Sequence, residues 1–506
     1  MKTKSRTKNA LLNMISGSTM QIINVLLGFV SRTIFIKLLN ADYLGVNSLY
    51  SNILMVLSFA ELGIGNAIAF CLYEPIANND KKRIHDFMKF YKKAYYFIGI
   101  IIFIIGLGLM PFMNIIIKNP PNIKENLTLI YILFLLNTSI SYFFSYKKTL
   151  IIADQKVYIE NFYNRLFQII QVIAQSILLL LTHQYLAYLI IYLVCTILLN
   201  VSLAKKADKL YPLLQEKNDN KLSKEEIHSI FKNVKALFVY KFGAVILDGT
   251  DSIIISAIIN ITTVGISSNY TLLINSVSNI VGQGFNGITA SIGNLAAQGD
   301  KKKIRTVINE LRLLCVWLYG FVAIGFITLS NDFVRIWLGN DFVLPSFVVC
   351  AIVFSVYING VQYPAYVFRT TQGLFVQSKW IPLIAALLNV ILSIWWGKLI
   401  GVAGIFVATG VSRLCTTTLV DPWLVYKNNF SEKPYEYYIR YILESVGVVF
   451  NCIIQYIVVS SINMRNISGF VVKFIVVVIG TNFIFFIEFG WTKEFKNLMM
   501  RIIHKR

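Results

Sequence analysis

The sequence has few charged residues and few of the residues that bind metals or phosphates. Charged side chains make up 14% of the 506 residues, whereas soluble proteins carry about 25%. There are only four histidines, and the chain contains no His-Glu-x-x-His motif, no Gly-x-x-x-x-Gly-Lys-Ser/Thr phosphate loop and no Asp-x-Asp metal-sugar motif. These absences argue against an ordinary soluble protein and against a chain with its own ATPase.

Cysteine is also scarce, and no two cysteines have a Cys-x-x-Cys spacing. We interpret the six as buried small apolar groups rather than as a disulfide or metal framework. They are Cys71, Cys195, Cys315, Cys350, Cys415 and Cys452. The predicted outward turns are short, so the chain has no place for a catalytic domain. We therefore predict that the protein is not an enzyme and that it needs no cofactor.

Long apolar segments dominate what remains, since 56% of the residues are hydrophobic. A membrane-spanning helix needs about 20 mostly apolar residues, and the chain has fourteen segments of that kind. They lie near residues 11-36, 43-72, 94-117, 127-146, 157-181, 184-204, 236-259, 264-292, 311-330, 343-368, 374-397, 401-426, 441-461 and 467-490. We predict an all-α integral membrane protein with about 14 transmembrane helices, called spans 1 to 14 here.

The formal net charge of +22 is explained by where the basic residues fall along these spans. Of the 47 Lys and Arg residues, 38 lie at the termini or at the even-numbered turns, and six lie at the odd-numbered turns. This asymmetry is the positive-inside pattern, which places both termini in the cytoplasm. The basic charge then reflects topology and affinity for anionic lipid heads, and no nucleic acid partner is needed.

Residues 21-84 recur without a gap 220 positions later. The alignment has 15 identities in 64 pairs and matches Gly45 with Gly265, Tyr50 with Tyr270 and the basic cluster after Asp80 with the one after Asp300. Chance similarity between apolar segments is the alternative explanation. Membrane transporters use such duplications to build a pathway between two similar lobes.

The repeat predicts two six-helix lobes and a C-terminal helix pair. The N-lobe is 1-204, a cytoplasmic link is 205-235, the C-lobe is 236-426, and 427-506 hold spans 13 and 14 with a basic tail. In the link, Ser223 and Glu226 form a capping-box pattern, which predicts a short helix on the inner membrane surface. The tail predicts a similar amphipathic helix. Its apolar residues are Phe495, Leu498, Met499, Ile502 and Ile503.

Polar residues inside the spans recur at spacings of three and four, so each set shares one helix face. Small and polar residues also hold spanning helices together, and packing is therefore an alternative to lining a lumen. The sets are Gly17, Gln21, Asn24, Gly28 and Arg32 in span 1; Asn47, Ser51, Ser58, Glu61 and Gly65 in span 2; Lys241, Asp248 and Asp251 in span 7; and Ser268, Thr271, Asn275, Asn279, Gly282 and Asn286 in span 8.

The charged members of these sets are the strongest functional candidates, because a charge at mid-membrane costs roughly 2.5–3.5 kcal/mol. Arg32 and Lys241 could hold a phosphate, and Asp248 and Asp251, three residues apart, could share a proton or bind sodium. A structural ion pair between Lys241 and Asp248 is the alternative. Glu61 is a weaker candidate for ion binding. Lys473 lies near a predicted helix end and is expected to snorkel without a functional role.

Several sequence segments together resemble the polysaccharide flippases of the Wzx type, in the multidrug/oligosaccharidyl-lipid/polysaccharide exporter superfamily. The segments are the basic N-terminus, the Ser-Arg32-Thr-Ile-Phe-Ile-Lys-Leu-Leu run, the Ala-Asp42-Tyr-Leu-Gly-Val-Asn-Ser-Leu-Tyr turn, Glu61-Leu-Gly-Ile-Gly and the Asn-Asp-Lys-Lys-Arg83 elbow. The resemblance covers essentially the whole chain, including the plan of six, six and two helices.

The resemblance implies a V-shaped cavity between two lobes in the bacterial cytoplasmic membrane. By alternating access, such a protein moves an undecaprenyl-diphosphate-linked oligosaccharide from the inner to the outer leaflet, with H⁺ or Na⁺ as the expected coupling ion. The substrate-binding residues expected here are Arg32, Lys241, Gln21, Asn24, Asn47, Asn275 and Asn279, with Arg165, Arg369, Lys379 and Arg413 nearer the inner mouth.

Two other functions are consistent with parts of the sequence. A cation-coupled drug or metabolite antiporter of the same superfamily would share the carboxylates of span 7, but such proteins usually have twelve spans. A membrane polysaccharide polymerase would need a large outward loop, which is not present. We expect a monomer whose partners are membrane lipid, its lipid-linked substrate, and the polymerase and glycosyltransferases of the same pathway.

Overall fold

The computed structural model describes residues 23–58, 64–216, 222–462 and 466–503, and within these ranges the chain consists of helices and turns. The first described helix, α1, covers 23–38. The helices that follow are α2 (Ala41–Leu57), α3 (Ile64–Asn78), α4 (Lys81–Leu109), α5 (Met113–Ile116), α6 (Leu127–Ala153), α7 (Val157–Thr182), α8 (Tyr185–Leu210), α9 (Lys224–Ile258), α10 (Ile261–Gln298), α11 (Lys301–Leu338), α12 (Ser346–Val361), α13 (Tyr363–Thr371), α14 (Phe375–Ser378), α15 (Ile381–Ile400), α16 (Val402–Cys415), α17 (Thr417–Phe430), α18 (Tyr435–Ser460), α19 (Ile467–Phe489) and α20 (Lys493–Ile503).

Ten of the described helical segments are long and apolar enough to cross a membrane. They correspond to predicted spans 3 to 6 and 9 to 14, and three of them join consecutive helices, as in α12 with α13 and α16 with α17. Predicted spans 1 and 2 fall partly outside the described residues. Helices α9 and α10, which match spans 7 and 8, have 35 and 38 residues and carry the polar sets described above.

The chain folds into two compact units, unit 1 (Met1–Gly265) and unit 2 (Ile266–Arg506). In unit 1, α6 packs against α4 and α8, α7 packs against α8, and α2 packs against α9. Buried tyrosines from several helices fill its core, among them Tyr50, Tyr91, Tyr95 and Tyr131. The hydroxyl of Tyr131 donates to the carbonyl of Gly106 over 3.0 Å, so the interior of the unit is partly polar and hydrogen-bonded.

In unit 2, α11 is the central helix and contacts α12, α13, α18, α19 and α20. Helices α12 and α13 form one span that breaks at Gln362, where Pro364 lies in the first turn of α13 and cannot donate a backbone hydrogen bond. Helices α16 and α17 form a second broken span, which bends at Thr416 with φ −118° and ψ −87°. Both spans were predicted from the sequence as single helices, so these breaks were not predicted.

Local geometry agrees with the sequence repeat at equivalent positions. Asp80 caps the N-terminus of α4 by accepting from the backbone N–H of Arg83, and Asp300 does the same for α11 through Lys303. The residue before each cap has a positive φ, 53° at Asn79 and 71° at Gly299. The same turn chemistry therefore starts the equivalent helix in both copies. The lobe boundaries that we inferred from the repeat remain a prediction.

Two repeat-equivalent glycines also contact each other, both within unit 1. A Cβ added to Gly45 would lie 2.1 Å from the carbonyl oxygen of Ile261, and one added to Gly265 would lie 2.3 Å from that of Ala41. The start of α2 and the start of α10 therefore approach closely through their backbones. Beside this contact, the Thr262 hydroxyl donates to the carboxylate of Asp42.

The capping box predicted in the link is present, but the helix that it starts is not short. The Ser223 side chain accepts from the backbone N–H of Glu226, and the Glu226 carboxylate accepts from that of Ser223. Helix α9 then continues without interruption to Ile258. The predicted short surface helix is instead the first part of span 7, because no proline or glycine interrupts the pattern between them.

The C-terminal amphipathic helix is present as α20, and its apolar side contacts the protein. Phe495 and Leu498 are buried in one cluster with Leu313 of α11, and Trp317 and Met499 pack against that cluster. Helix α20 is thus docked on α11. The six cysteines are all free, as predicted, but only two of them are fully buried, Cys195 and Cys315.

Candidate functional site

The polar interior of unit 1 centres on Arg32, which lies six residues before the end of α1 at residue 38. Arg32 interacts with Tyr188 of α8, whose hydroxyl also hydrogen-bonds to Ser31. The Tyr188 ring stacks on the ring of Tyr185, with centroids 6.0 Å apart, and both rings contact Phe35. Arg32 therefore lies beside one member of an aromatic cluster, Tyr188, near the C-terminal end of α1.

Two other predicted residues of span 1 and span 2 lie in the same unit. The Asn24 side-chain oxygen accepts from Gln168 of α7 over 2.7 Å. The Asn47 side-chain oxygen accepts from the hydroxyl of Tyr185 over 3.4 Å. Arg165 joins the contact between Asn24 and Gln168, because its guanidinium donates to the side-chain oxygen of Gln168. The structure thus joins Asn24 with Arg165 through one glutamine, while Asn47 and Arg32 meet the tyrosines of α8.

The charged residues of span 7 are spread along α9. Lys241 and Asp251 are both partly exposed, and they are separated by ten residues, which is roughly 15 Å along a helix. Ser252, the repeat equivalent of Arg32, accepts from the side chain of Asn52 on α2 over 3.0 Å. The side chain of Asp248 lies outside the described residues, as do Gln21 and Glu61.

The predicted residues of unit 2 differ in how exposed their side chains are. Asn275 and Asn279 lie on α10, and both are exposed. Lys379 is partly exposed, with its ammonium group 5.6 Å from the ring centre of Trp380. Arg369 differs, because its side chain is 2% exposed and its Nε lies 3.0 Å from the carboxylate of Asp421. The charge of Arg369 is thus balanced inside the unit by α17.

Arg413 lies where the two broken spans meet. Its guanidinium donates to the side-chain oxygen of Asn359, and the Asn359 oxygen also accepts from Gln362 over 2.9 Å. The Thr417 hydroxyl, one residue beyond the bend, donates to Gln362. The breaks of both spans are therefore held by one polar network, and broken spanning helices are where transporters commonly place substrate and ion sites.

Lys473, predicted from the sequence to snorkel without a functional role, forms a buried ion pair in the structure. The Lys473 ammonium lies 2.7 Å from Asp332 of α11, and its side chain is 8% exposed. Asp332 also pairs with Arg335 over 2.8 Å. Lys473 therefore does not snorkel. The partner is 141 residues away in the sequence, so no local pattern could have identified it.

One polar feature of unit 1 was also missed, although its spacing was visible in the sequence. Five amide residues occupy one face of α7 at intervals of three and four residues. They are Asn161, Asn164, Gln168, Gln171 and Gln175, called the amide stripe below. Only Arg165, which lies beside them, was among the predicted residues of this helix.

Unit 2 also contains an apolar groove of about 260 Å³ between α10, α11 and α19. Of its thirteen lining residues only Ser330 is polar. Val277 and Phe474 line it and are 38% and 50% exposed, so the groove lies at the outer surface of the unit. The lining includes Leu273 and Val277 of α10, Phe326 and Phe333 of α11, and Phe470 and Phe474 of α19.

No protein-family profile and no curated protein matches the chain. Among solved structures it is similar to the lipid II flippase MurJ in an inward closed conformation, with 16% identity, a TM-score of 0.64 and coverage of 97% of this chain and 99% of that one. It is also similar to an inward-facing multidrug resistance transporter of the MATE family in the MOP superfamily, with 10% identity, a TM-score of 0.62 and coverage of 83% and 98%. The Vibrio cholerae MATE transporter VcmN in its bent form gives 11% identity, a TM-score of 0.52 and coverage of 84% and 98%.

These similarities establish the fold, because the identities are too low to carry more. The chain has the fold of these structures, and the prediction of an all-α multi-pass membrane protein is confirmed. The similar structures are transporters rather than enzymes. The substrate and the residues that bind it are not decided by the fold.

Proposed function

We propose that the protein is a flippase that moves an undecaprenyl-diphosphate-linked oligosaccharide from the inner to the outer leaflet of a bacterial cytoplasmic membrane. The polar head of such a lipid cannot cross about 30 Å of hydrocarbon unaided, because it would lose its water without replacement hydrogen bonds. A protein that moves it needs a polar surface for the head and an apolar surface for the tail.

The observation that carries the proposal is the apolar groove between α10, α11 and α19. One of its three walls belongs to the C-terminal helix pair, and the structural similarity to the lipid II flippase extends over 97% of this chain against 83% for the MATE transporter. A groove with twelve apolar lining residues at the outer surface suits a polyprenyl tail. An antiporter of small cations has no evident use for it.

The polar surface in this proposal belongs to the interior of unit 1. Arg32 and Lys241 would bind the diphosphate, while Asn24 and Asn47 would hydrogen-bond the sugars. Guanidinium and ammonium groups form charge-assisted hydrogen bonds with phosphate, which are about twice as strong as neutral ones. No step of this process makes or breaks a covalent bond.

The proposal is tested by flipping in proteoliposomes that contain a fluorescent polyprenyl-diphosphate-linked oligosaccharide. We expect the protein to expose the label to an impermeant quencher faster than empty vesicles do, while a labelled phosphatidylcholine stays protected. Transport of a small organic cation without flipping of the lipid would instead favour the antiporter and overturn the proposal.

A groove-filling variant gives a sharper test of the tail site. A Cβ at Gly325, which lines the groove, would meet no atom within 4 Å, so Gly325→Leu fills the groove without disturbing the packing. We expect it to slow flipping of a long-chain substrate more than that of a short-chain one. Gly108→Leu is the matched control, because its Cβ would also meet nothing within 4 Å and it lies on α4. Equal behaviour of the two variants would exclude the groove as the tail site.

We further propose that Asp248 and Asp251, with Glu61 as the next candidate, couple transport to H⁺ or Na⁺. Protonation or cation binding at such a pair would favour one of the two conformations. Asp251→Asn should leave substrate binding intact and abolish the response of flipping to an imposed proton or sodium gradient. A variant that responds to both gradients as the parent does would assign Asp251 a structural role.

A further inference from the structure

Helix α7 has two chemically different faces. At 100° per residue, the amide stripe and a row of exposed apolar residues lie on opposite sides of the helix. The apolar row is between 39% and 76% exposed, as expected for a face in contact with lipid. It contains Phe162, Leu166, Ile170, Ile173, Ile177, Leu180 and Leu181. Because lipid covers that side, the amide stripe faces the interior of unit 1.

Part of the amide stripe holds neighbouring helices together. Gln168 donates to Asn24 of α1 over 2.7 Å. Gln175, which is 2% exposed, donates to the backbone carbonyl of Tyr188 on α8 over 3.0 Å. These two bonds explain why a spanning helix keeps amides at those positions, and neither glutamine is free for a ligand without breaking a contact between helices.

Two further members of the stripe, Asn164 and Gln171, make no such bond to a neighbouring helix within the described residues. Gln171 donates to Gln175 on its own helix over 3.1 Å, and Asn164 makes no hydrogen bond within the described ranges. Arg165 bonds to Gln168 on its own helix, and its Nε is buried without a partner among the described residues. Within the part of the chain that the structure describes, no carboxylate pairs with Arg165.

We propose that Asn164 and Gln171, with Arg165 beside them, bind the sugar hydroxyls of the transported lipid and make flipping selective for an extended oligosaccharide. This inference rests on the proposed function and adds the residues that recognise the sugar. A primary amide both donates and accepts hydrogen bonds, as a hydroxyl group does, so amide side chains can bind sugar hydroxyls. From Asn164 to Gln171 the stripe rises through seven residues, roughly 10 Å, which gives room for more than one sugar ring.

The partial exposure of these side chains fits this role. Asn164, Arg165 and Gln171 are all intermediate in exposure, whereas Gln175, which has a structural bond, is buried. An amide inside a membrane protein that is neither buried nor directed at lipid must reach a polar space. In that space a bound hydroxyl would replace water, and each such bond is worth about 1 kcal/mol.

The test compares two substrates in the same proteoliposomes. One is a fluorescent polyprenyl diphosphate that carries a single sugar, and the other carries a chain of several sugars. For Asn164→Leu and for Gln171→Leu we expect flipping of the oligosaccharide substrate to fall about fivefold, the equivalent of one neutral hydrogen bond, with little change for the monosaccharide substrate. The double variant should lose the product of the two factors.

Two control variants distinguish recognition from folding. Gln175→Leu removes a bond between helices, so it should lower thermal stability and slow both substrates equally. Leu166→Ala on the lipid-facing row should leave the ratio of the two rates unchanged. If Asn164→Leu and Gln171→Leu slow both substrates by the same factor, or neither, the stripe only packs helices and the inference is wrong. Absence of flipping by the parent protein would instead show that the proposed function has failed.

Discussion

The ion pair between Arg312 of α11 and Glu444 of α18 is a buried electrostatic contact of unit 2, and its loss should lower thermal stability strongly. The Nε and Nη2 atoms of Arg312 each donate over 2.9 Å to the two oxygens of Glu444. Nη1 donates to Asn309, also over 2.9 Å, and the guanidinium lies 5.3 Å from the ring centre of Tyr437. The Arg312 side chain is 0% exposed, and that of Glu444 is 11% exposed.

Glu444→Gln removes one charge and leaves the other buried without compensation. Breaking a buried ion pair in this way costs about 3–5 kcal/mol. We assume that the 241 residues of unit 2 unfold cooperatively, with an unfolding entropy of roughly 2.1 cal/mol/K per residue. A loss of about 3–5 kcal/mol then corresponds to a decrease of roughly 6–10 °C in melting temperature. The double variant Arg312→Met with Glu444→Leu should recover most of this loss, because apolar side chains can replace a buried pair.

The measurement is thermal unfolding of the purified protein in one detergent, with Glu436→Gln as the matched control. Glu436 lies on the same helix and pairs with Arg440 over 2.8 Å, but its side chain is 62% exposed. An exposed pair of that kind contributes about 0.3–0.5 kcal/mol, so its loss should shift the melting temperature by less than about 1 °C. Equal shifts for the two single variants, or a double variant no more stable than Glu444→Gln, would refute the reasoning.

Three other predictions follow from the sequence and the structure. Gly45→Ala should lower thermal stability clearly more than Gly28→Ala, because the new Cβ would overlap the carbonyl of Ile261 in the first case and meets nothing within 4 Å in the second. Arg32→Ala should abolish lipid flipping at an unchanged amount of protein in the membrane, and Arg32→Lys should retain part of it, since lysine supplies the charge without the bidentate fork. A Lys217→Cys variant should react with an impermeant thiol reagent only from the cytoplasmic side, and labelling of intact cells would reverse the predicted topology.

Features that depend on neighbouring residues could be predicted from the sequence. The capping box at Ser223, the repeated turn before Asp80 and Asp300, and the amphipathic helix after Lys493 all have a local signature, because a capping side chain contacts a backbone N–H only two or three residues away. Long apolar runs predicted the spanning helices for the same reason. The amide stripe also has a local period of three and four residues, but neutral amides at that spacing equally fit helix packing and so do not by themselves indicate a binding surface.

Features that depend on distant partners could not be predicted. The local sequence around Lys473 is an apolar run with one lysine. That pattern is the same whether the lysine reaches the membrane surface or pairs with Asp332. Arg369 likewise has the sequence pattern of a lumen cation, yet the structure balances its charge with Asp421. The bend at Thr416 interrupts an apolar run without changing its composition, so hydropathy gives no signal for it, whereas Pro364 was a local signal for the break at Gln362.

The long separation between ion-pair partners in unit 2 has a consequence for how the chain is made. Arg312 and Glu444 are 132 residues apart, and Asp332 and Lys473 are 141 residues apart. At about 5–20 residues per second, a ribosome needs roughly 7–28 s to supply the second partner after the first. During that time α11 is in the nascent chain with charges that the later helices have yet to neutralise. A chain that ends before α18 would leave Arg312 without Glu444 and Asp332 with Arg335 of its own helix as its remaining ion-pair partner among the described residues.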